Sequence, residues 1–326
     1  MTRNRLIVAL AALVLLALVP IFVLDSYTRH LFIIAFIYAI VAVNWDLSLG
    51  FAGLFNFGHL AFFGTGAYAA AILARTLEVS PWLAIPAGGV AAAVAALLIA
   101  LPVARLQGIY VVLVTFAFSQ LALQIVLSQG DITGGAEGIV RIPYLTIGEY
   151  SFIRDYKLGY YYLSLGLLAL SVTLLLLLAR SPFGKSLRAV RDNPDYAASR
   201  GISVARQRVL VLVASSVFTG IAGGFYAIYL RVAAPEVFSF ATLSLVLSMV
   251  LIGGAGSILG PALAALALTF GTEAMAGIRG MEEARFIIVA LAMILVLRIA
   301  PRGVIDILGR GLSLRSRRNA KTGDES

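Results

Sequence analysis

Apolar stretches long enough to cross a lipid layer recur along nearly the whole chain, and this recurrence constrains the fold more than any motif does. A helix that satisfies its own backbone hydrogen bonds needs about 20 predominantly apolar residues to span ~30 Å of hydrocarbon. Ten stretches approach or meet that length: Leu6 to Leu24, Leu31 to Leu49, Leu54 to Ala74, Trp82 to Val103, Ile109 to Ser128, Tyr160 to Ala179, Val209 to Leu230, Ala241 to Gly254, Ile258 to Ala276 and Arg285 to Ala300. The eighth is short and the third is rich in glycine. A soluble fold fails on composition, because only 13% of the residues are charged against about 25% in an ordinary soluble domain. The expected architecture is an all-α, polytopic integral membrane bundle of about ten segments. The permease domain is expected over residues 1–310, with a basic, disordered cytoplasmic tail over 311–326.

A net charge of +9 raises the question of nucleic acid, and the placement of the charges answers it. Lys and Arg cluster in particular connections and near both ends instead of forming a basic face interleaved with exposed aromatics. That pattern reads as topology, since positive residues stay on the cytoplasmic side. Arg3 and Arg5 precede the first stretch, and Arg298, Arg302, Arg310, Arg315, Arg317, Arg318 and Lys321 lie at or after the last. The connection from Arg180 to Arg208 holds seven Lys/Arg and two acids, Asp192 and Asp195. Ten crossings put all three inside, with both termini cytoplasmic. The connection from Gln129 to Gly159 carries three basic and four acidic residues and falls outside. A signal peptide is the other reading of the first stretch, but no small-x-small cleavage site occurs between Val19 and Tyr27. Division after the fifth span yields halves of opposite topology, as many transporters have.

Two stretches break the apolar pattern at membrane depth. Asn44 to Tyr68 contains Asn44, Asp46, Asn56 and His59 with glycines 50, 53, 58, 64 and 66, and Gly253 to Pro261 reads GGAGSILGP. Unwound backbone is tolerated in a membrane only where protein buries it or water lines it. Asn44, Asp46, Asn56, His59, Gly64, Gly253, Gly254 and Gly256 are therefore the candidate pathway residues. The competing reading gives each glycine to helix packing, as for the Gly220 to Gly224 and Gly256 to Gly260 spacings. For Asp46 the bland alternatives are an interfacial position or a hydrogen bond to Asn44, and for His59 an inter-helix hydrogen bond.

Catalytic chemistry finds little support. The chain has no cysteine and two histidines, His30 and His59, so thiolate metal sites and cysteine nucleophiles are excluded and no metal is expected. Gly184-Lys185-Ser186 imitates the end of a P-loop, but Ala179 stands where its first glycine belongs. Gly64-Thr65-Gly66 imitates a dinucleotide fingerprint without the βαβ context. An integral-membrane enzyme would need an acid and base converging at one depth, and no such constellation appears. Ion coupling would rest on Asp46, His59 and Glu273 alone.

The cytoplasmic connection, residues 180–208, is punctuated as a short helix from Pro194 to Arg200. Asn193 caps it, Pro194 takes the first helical position, Asp195 meets the positive end of the dipole, and Gly201 supplies a left-handed stop. So short a helix does not persist alone in water and needs a surface to lie against.

Several segments together carry a family resemblance: GLFNFGHLAFFGTGAYAAA from Gly53, LQGIYVVLVTFAFSQ from Leu106, TGGAEGI from Thr133, SPFGKSLRAVRDNPDYAASRGISV from Ser181 and LIGGAGSILGPALAA from Leu251. Over roughly Ile37 to Arg302 the chain resembles LivM-type permease subunits of bacterial high-affinity branched-chain amino acid ABC importers. The resemblance implies two cytoplasmic ABC ATPases that bind ATP and Mg, a second homologous permease, a periplasmic substrate-binding protein and an amino acid cargo. This chain itself would hold no cofactor. The resemblance also implies that the short helix docks into an ATPase through Arg191, Asn193, Pro194, Asp195, Tyr196, Ala197, Arg200 and Gly201. Asp195 stands where the importers' EAA pattern has Glu, and Tyr196 where it has the first Ala. The outer segment Thr133, Gly134, Gly135, Glu137 and Gly138 would meet the binding protein or form a solvated turn. A permease of the same class for a sugar, urea or another small solute is the rival within this reading, and an ion-coupled secondary transporter the rival outside it.

Overall fold

Caps, prolines and glycines set the helix boundaries in a computed structural model that describes residues 3–22, 25–148, 150–152, 154–276 and 284–299. After α1 (Arg3–Phe22), the Asp25 carboxylate accepts from Thr28 N at 2.8 Å and starts α2 (Ser26–Asp46), which continues into a π-helical turn over Leu47–Phe51. An unwound segment, 52–58, leads into α3 (His59–Arg75). Proline at the first position opens α4 (Pro81–Val103), and Gly108 in a positive-φ conformation precedes α5 (Ile109–Ser128). A one-turn α6 (Gly130–Thr133) and the strands β1 (Ile139–Val140), β2 (Thr146–Ile147) and β3 (Tyr150–Ser151) form the following connection. Then come α7 (Arg154–Arg180), α8 (Pro182–Asp192), α9 (Pro194–Ser199) and α10 (Val204–Leu230). The remaining elements are β4 (Val232–Ala233), a 3-10 turn over Pro235–Phe238, α11 (Phe240–Gly253), α12 (Leu259–Ala276) and α13 (Ala284–Ile299). β1 pairs antiparallel with β4 in the register Ile139 to Ala233, and β2 pairs with β3.

The core forms around α2. Its residues from Ala35 to Phe51 are almost all buried, because α7, α10, α11 and α12 pack against it on several sides. A helix apolar all round is stable only when enclosed by protein or lipid, and α2 takes the first option. A second packing centre joins α3, α4 and α10, where small residues let the backbones touch. A Cβ on Gly88 would lie 2.6 Å from Gly66 O, and one on Gly220 would lie 2.6 Å from Gly88 O. These glycines serve helix packing, as does Gly64, whose missing side chain makes room for the Phe238 ring.

Among the described residues five helices are long and apolar enough to cross a membrane: Ser26–Phe51, Pro81–Val103, Ile109–Ser128, Lys157–Arg180 and Val204–Leu230. Shorter apolar helices cover Leu13–Phe22, Phe240–Gly253, Leu259–Met275 and Ile287–Val296. The expected third span, Leu54 to Ala74, is shortened because its first residues are not helical. Gly53 takes φ +66° and Asn56 Oδ1 accepts from Gly58 N at 2.7 Å, a local turn that delays the helix until His59. The last part of the expected tenth span, the basic residues from Arg302 on and the tail over 311–326 lie outside the described residues.

Candidate functional site

The two stretches that break the apolar pattern lie 210 residues apart in sequence and meet in space. Asp46, fully buried at the end of α2, accepts from Gly256 N at 2.6 Å through Oδ1 and from Ile258 N at 3.0 Å through Oδ2. Its carboxylate thus satisfies the unwound backbone between α11 and α12, where Gly254 and Gly256 both have positive φ and Ile258 takes φ +58°. A β-branched residue rarely adopts that conformation, and here two charge-assisted hydrogen bonds to one carboxylate hold the turn. The sequence-level alternative, a hydrogen bond between Asp46 and Asn44, is corrected. Asn44 Nδ2 instead donates to Ile40 O at 2.7 Å and Ser171 Oγ at 2.8 Å, tying α2 to α7.

Close approach requires glycine at position 50. A Cβ there would collide with Gly256 N and Asp46 Oδ1 and stand 2.7 Å from Gly256 Cα. On its other side Gly50 O accepts from Arg191 Nη1 at 2.7 Å. Arg191 belongs to α8, a helix whose Gly184, Leu187 and Val190 are buried. Arg188 of the same helix caps Ala179 O at 2.7 Å and lies over the Phe51 ring at 5.2 Å. Two arginines one turn apart therefore contact the π-helical turn, so α8 is tied to the junction of Asp46, Gly50 and Gly256.

Helix α9 follows α8 after one residue. Asn193 Oδ1 accepts from Tyr196 N at 2.9 Å, Pro194 is in the first turn, and Gly201 has φ +81° with its N–H on Ala198 O at 2.9 Å. The helix ends at Ser199, one residue before the expected Arg200, because Arg200 has already left helical geometry at ψ 10°. Ala197 is buried, whereas Tyr196 is 58% exposed and carries the Arg200 guanidinium over its ring at 5.4 Å. Asp195, Tyr196 and Arg200 thus share an exposed surface, while Arg191 turns inward.

The other sequence candidates form a separate buried group. His59 stacks on Trp45 with ring centroids 5.3 Å apart and planes 3° from parallel, and Asn56 Nδ2 lies 2.9 Å from His59 Nδ1. Phe57 N donates to Thr115 Oγ1 at 3.0 Å, which anchors the unwound segment to α5. Thr115 is a contact of this site that the sequence did not single out, and Gly50, named only as one glycine of the first broken stretch, has a specific steric role. Buried hydroxyls one turn apart in an apolar run, Thr115 and Ser119, were the available signal for Thr115. Gly253 packs on Gly260 and Pro261, so the expected pathway glycines divide: Gly64 and Gly253 pack, while Gly254 and Gly256 shape the turn on Asp46.

One α3 length away, an open cleft of about 490 Å³ is lined by Arg75, Glu78, Asp131, Gly134 and Gly138. It contains the glycine-rich segment expected on the outer face.

Known proteins resemble this chain over most of its length. The family described as branched-chain amino acid transport system / permease component matches residues 27–297. The high-affinity branched-chain amino acid transport system permease protein LivM of Escherichia coli is 29% identical over 94% of this chain and 76% of its own length. A probable branched-chain amino acid transport permease protein LivM of Methanocaldococcus jannaschii is 26% identical over 71% of the chain and 76% of its own. The nucleoside ABC transporter permease protein NupC of Lactococcus lactis is 27% identical over 54% of the chain and 59% of its own. No solved structure matches. With a family match over most of the chain and membrane-length helices to accompany it, this multi-pass membrane protein belongs to the permease component family of branched-chain amino acid transport systems.

Proposed function

We propose that this permease component, which is not an enzyme, translocates branched-chain or related amino acids delivered by a periplasmic binding protein. ATP hydrolysis on two separate cytoplasmic ATPases, with Mg, supplies the free energy, and a second homologous permease completes the pathway. In this reading about ten crossings leave both termini and α8–α9 in the cytoplasm, and the halves are inverted with respect to each other. The exposed face of α9, with Asp195, Tyr196 and Arg200, docks into an ATPase.

The observation that carries the reading is the Arg191 contact to Gly50. It joins a water-facing helix pair to the two broken segments at membrane depth, through a hydrogen bond and a carboxylate that holds backbone. Displacement of α8–α9 by an ATPase therefore pulls on the junction where unwound backbone can rearrange. Asp46, which an ion-coupled transporter would need free, is committed to Gly256 and Ile258, His59 Nδ1 lies on Asn56, and Glu273 accepts from Tyr27 at 2.7 Å.

Reconstitution of the chain with its ATPases, second permease and binding protein in vesicles tests the reading. Labelled leucine uptake is expected only with all components and ATP, and leucine uptake by this chain alone would overturn it. The likeness to a nucleoside permease makes labelled nucleoside the necessary comparison cargo. Arg191→Ala removes the charge-assisted hydrogen bond to Gly50 O, worth about 1.5–3 kcal/mol, together with an exposed ion pair to Asp192 that contributes little. It is expected to lower uptake roughly ten- to hundredfold while the complex still hydrolyses ATP. Gly201→Pro cannot adopt φ +81° and loses the N–H to Ala198 O, so it should uncouple hydrolysis from uptake without reducing the amount of chain in the membrane. Normal coupling in both variants would detach α8–α9 from the drive.

A further inference from the structure

Lipid-facing helix surfaces cannot carry unsatisfied amides without cost, and the exposed faces of this bundle obey that rule on α4 but not on α5. The exposed large side chains of α4 are Trp82, Leu83, Val90, Val94, Leu97, Leu98 and Leu101, nearly all aliphatic. On α5 the exposed residues include Gln120 and Gln124, and neither side chain has a hydrogen-bond partner among the described residues. Side chains four apart lie on one helix face, and Phe116 continues the same line one turn earlier. Phe116 meets the ring of Phe240, which is 63% exposed, edge to face at 6.3 Å. A rise of 1.5 Å per residue places Gln120 about 16 Å along a helix ~30 Å long. Gln120 therefore stands near the middle of the span and Gln124 about 22 Å along it, roughly three quarters of the way.

We propose that this face of α5 lines the solute pathway, with Gln120 and Gln124 contacting the charged head of an amino acid and Phe116 with Phe240 receiving its aliphatic side chain. The inference rests on the permease reading and names the surface of this chain that the cargo touches. A glutamine amide offers an acceptor for an ammonium group and two donors for a carboxylate. Two of them match a zwitterion without placing a net charge at membrane depth. Sites that use neutral partners also release what they hold, which passage requires. Neither residue lies in the two broken stretches, so the cargo surface is distinct from the junction at Asp46.

The chain contains no cysteine, so single cysteines report on their surroundings without further alteration. In the complete complex, Gln120→Cys and Gln124→Cys should react with a charged, water-soluble methanethiosulfonate reagent at least roughly tenfold faster than Val94→Cys and Leu98→Cys, since a thiolate forms only where water reaches it. Added leucine with binding protein and ATP should alter the rate at the first pair and leave the second pair unchanged. The double variant Gln120→Leu/Gln124→Leu should reach the membrane in normal amount, because leucine suits either surroundings. Its leucine uptake should fall about tenfold, the loss expected for one to two neutral hydrogen bonds. Cysteines at 120 and 124 as slow as those at 94 and 98 would overturn the proposal, as would wild-type uptake by the double leucine variant. The labelling contrast does not depend on the identity of the cargo, so an unaltered complex that fails to move leucine counts against the substrate assignment and leaves this test decisive for the pathway.

Discussion

Asp46→Leu is expected to abolish uptake and to release the turn between α11 and α12. The carboxylate is the acceptor for the N–H groups of Gly256 and Ile258, and among the described residues no other side chain is placed to accept from both. Losing two hydrogen bonds to a charged group costs about 3–6 kcal/mol, of the same order as the whole stability of many domains. Asp46→Asn keeps one acceptor oxygen and replaces the other by a donor that faces an N–H, so it should retain only a small part of the activity. The measurement is leucine uptake at matched membrane levels, together with protease sensitivity of the 254–258 segment. Uptake above half of wild type in Asp46→Leu would show that the junction is not held by this carboxylate. Gly50→Ala should fail in the same assay for a steric reason, since its Cβ would displace Gly256 from Asp46.

Gly220→Leu is expected to prevent the bundle from assembling. The Cβ alone would meet Gly88 O at 2.6 Å and Gly89 Cα at 3.1 Å, and would also overlap Ala92 Cβ. Two of those three contacts are backbone, which cannot swing aside, and the other face of the same residue receives α3 through Gly66. Overpacking typically costs 1–3 kcal/mol and more where no rotamer relieves it; a whole leucine side chain at a three-helix contact is such a case. The amount of chain recovered as a monodisperse species in detergent should fall severalfold. Gly166→Ala is the control, because nothing lies within 4 Å of the Cβ it would add, and recovery should be unchanged. Equal recovery of Gly220→Leu would contradict the close approach of α3, α4 and α10.

Five of the ten expected spans appear as membrane-length helices among the described residues, and the punctuation of α9 was legible without coordinates. Hydrocarbon thickness sets a length, and capping chemistry is local, so the expected fifth span, Ile109 to Ser128, coincides with α5 and Asn193 caps α9 as expected. The two interrupted stretches were also legible, since glycine clusters and ionisable residues are rare at that depth. Their mutual contact was not. Asp46 could have turned to Asn44, to water or to an ion, and only the arrival of a loop from beyond residue 250 decides among these. Arg191 likewise was expected among the residues that dock into an ATPase, and its contact to Gly50 O was not legible.

What the sequence by itself determined is the solvent, the lengths of the apolar helices and the places where their pattern breaks. The tertiary structure decided which faces meet. In water an amphipathic stripe announces the buried face of a helix, as on α8, where Gly184, Leu187 and Val190 are buried. In lipid both the packed and the outward faces are apolar, so periodicity carries almost no directional information. Helix contacts then follow from close approach at small residues and from satisfied polar groups, and those depend on partners more than a hundred residues away, such as Asn44 with Ser171, Arg191 with Gly50 and Asp46 with Gly256.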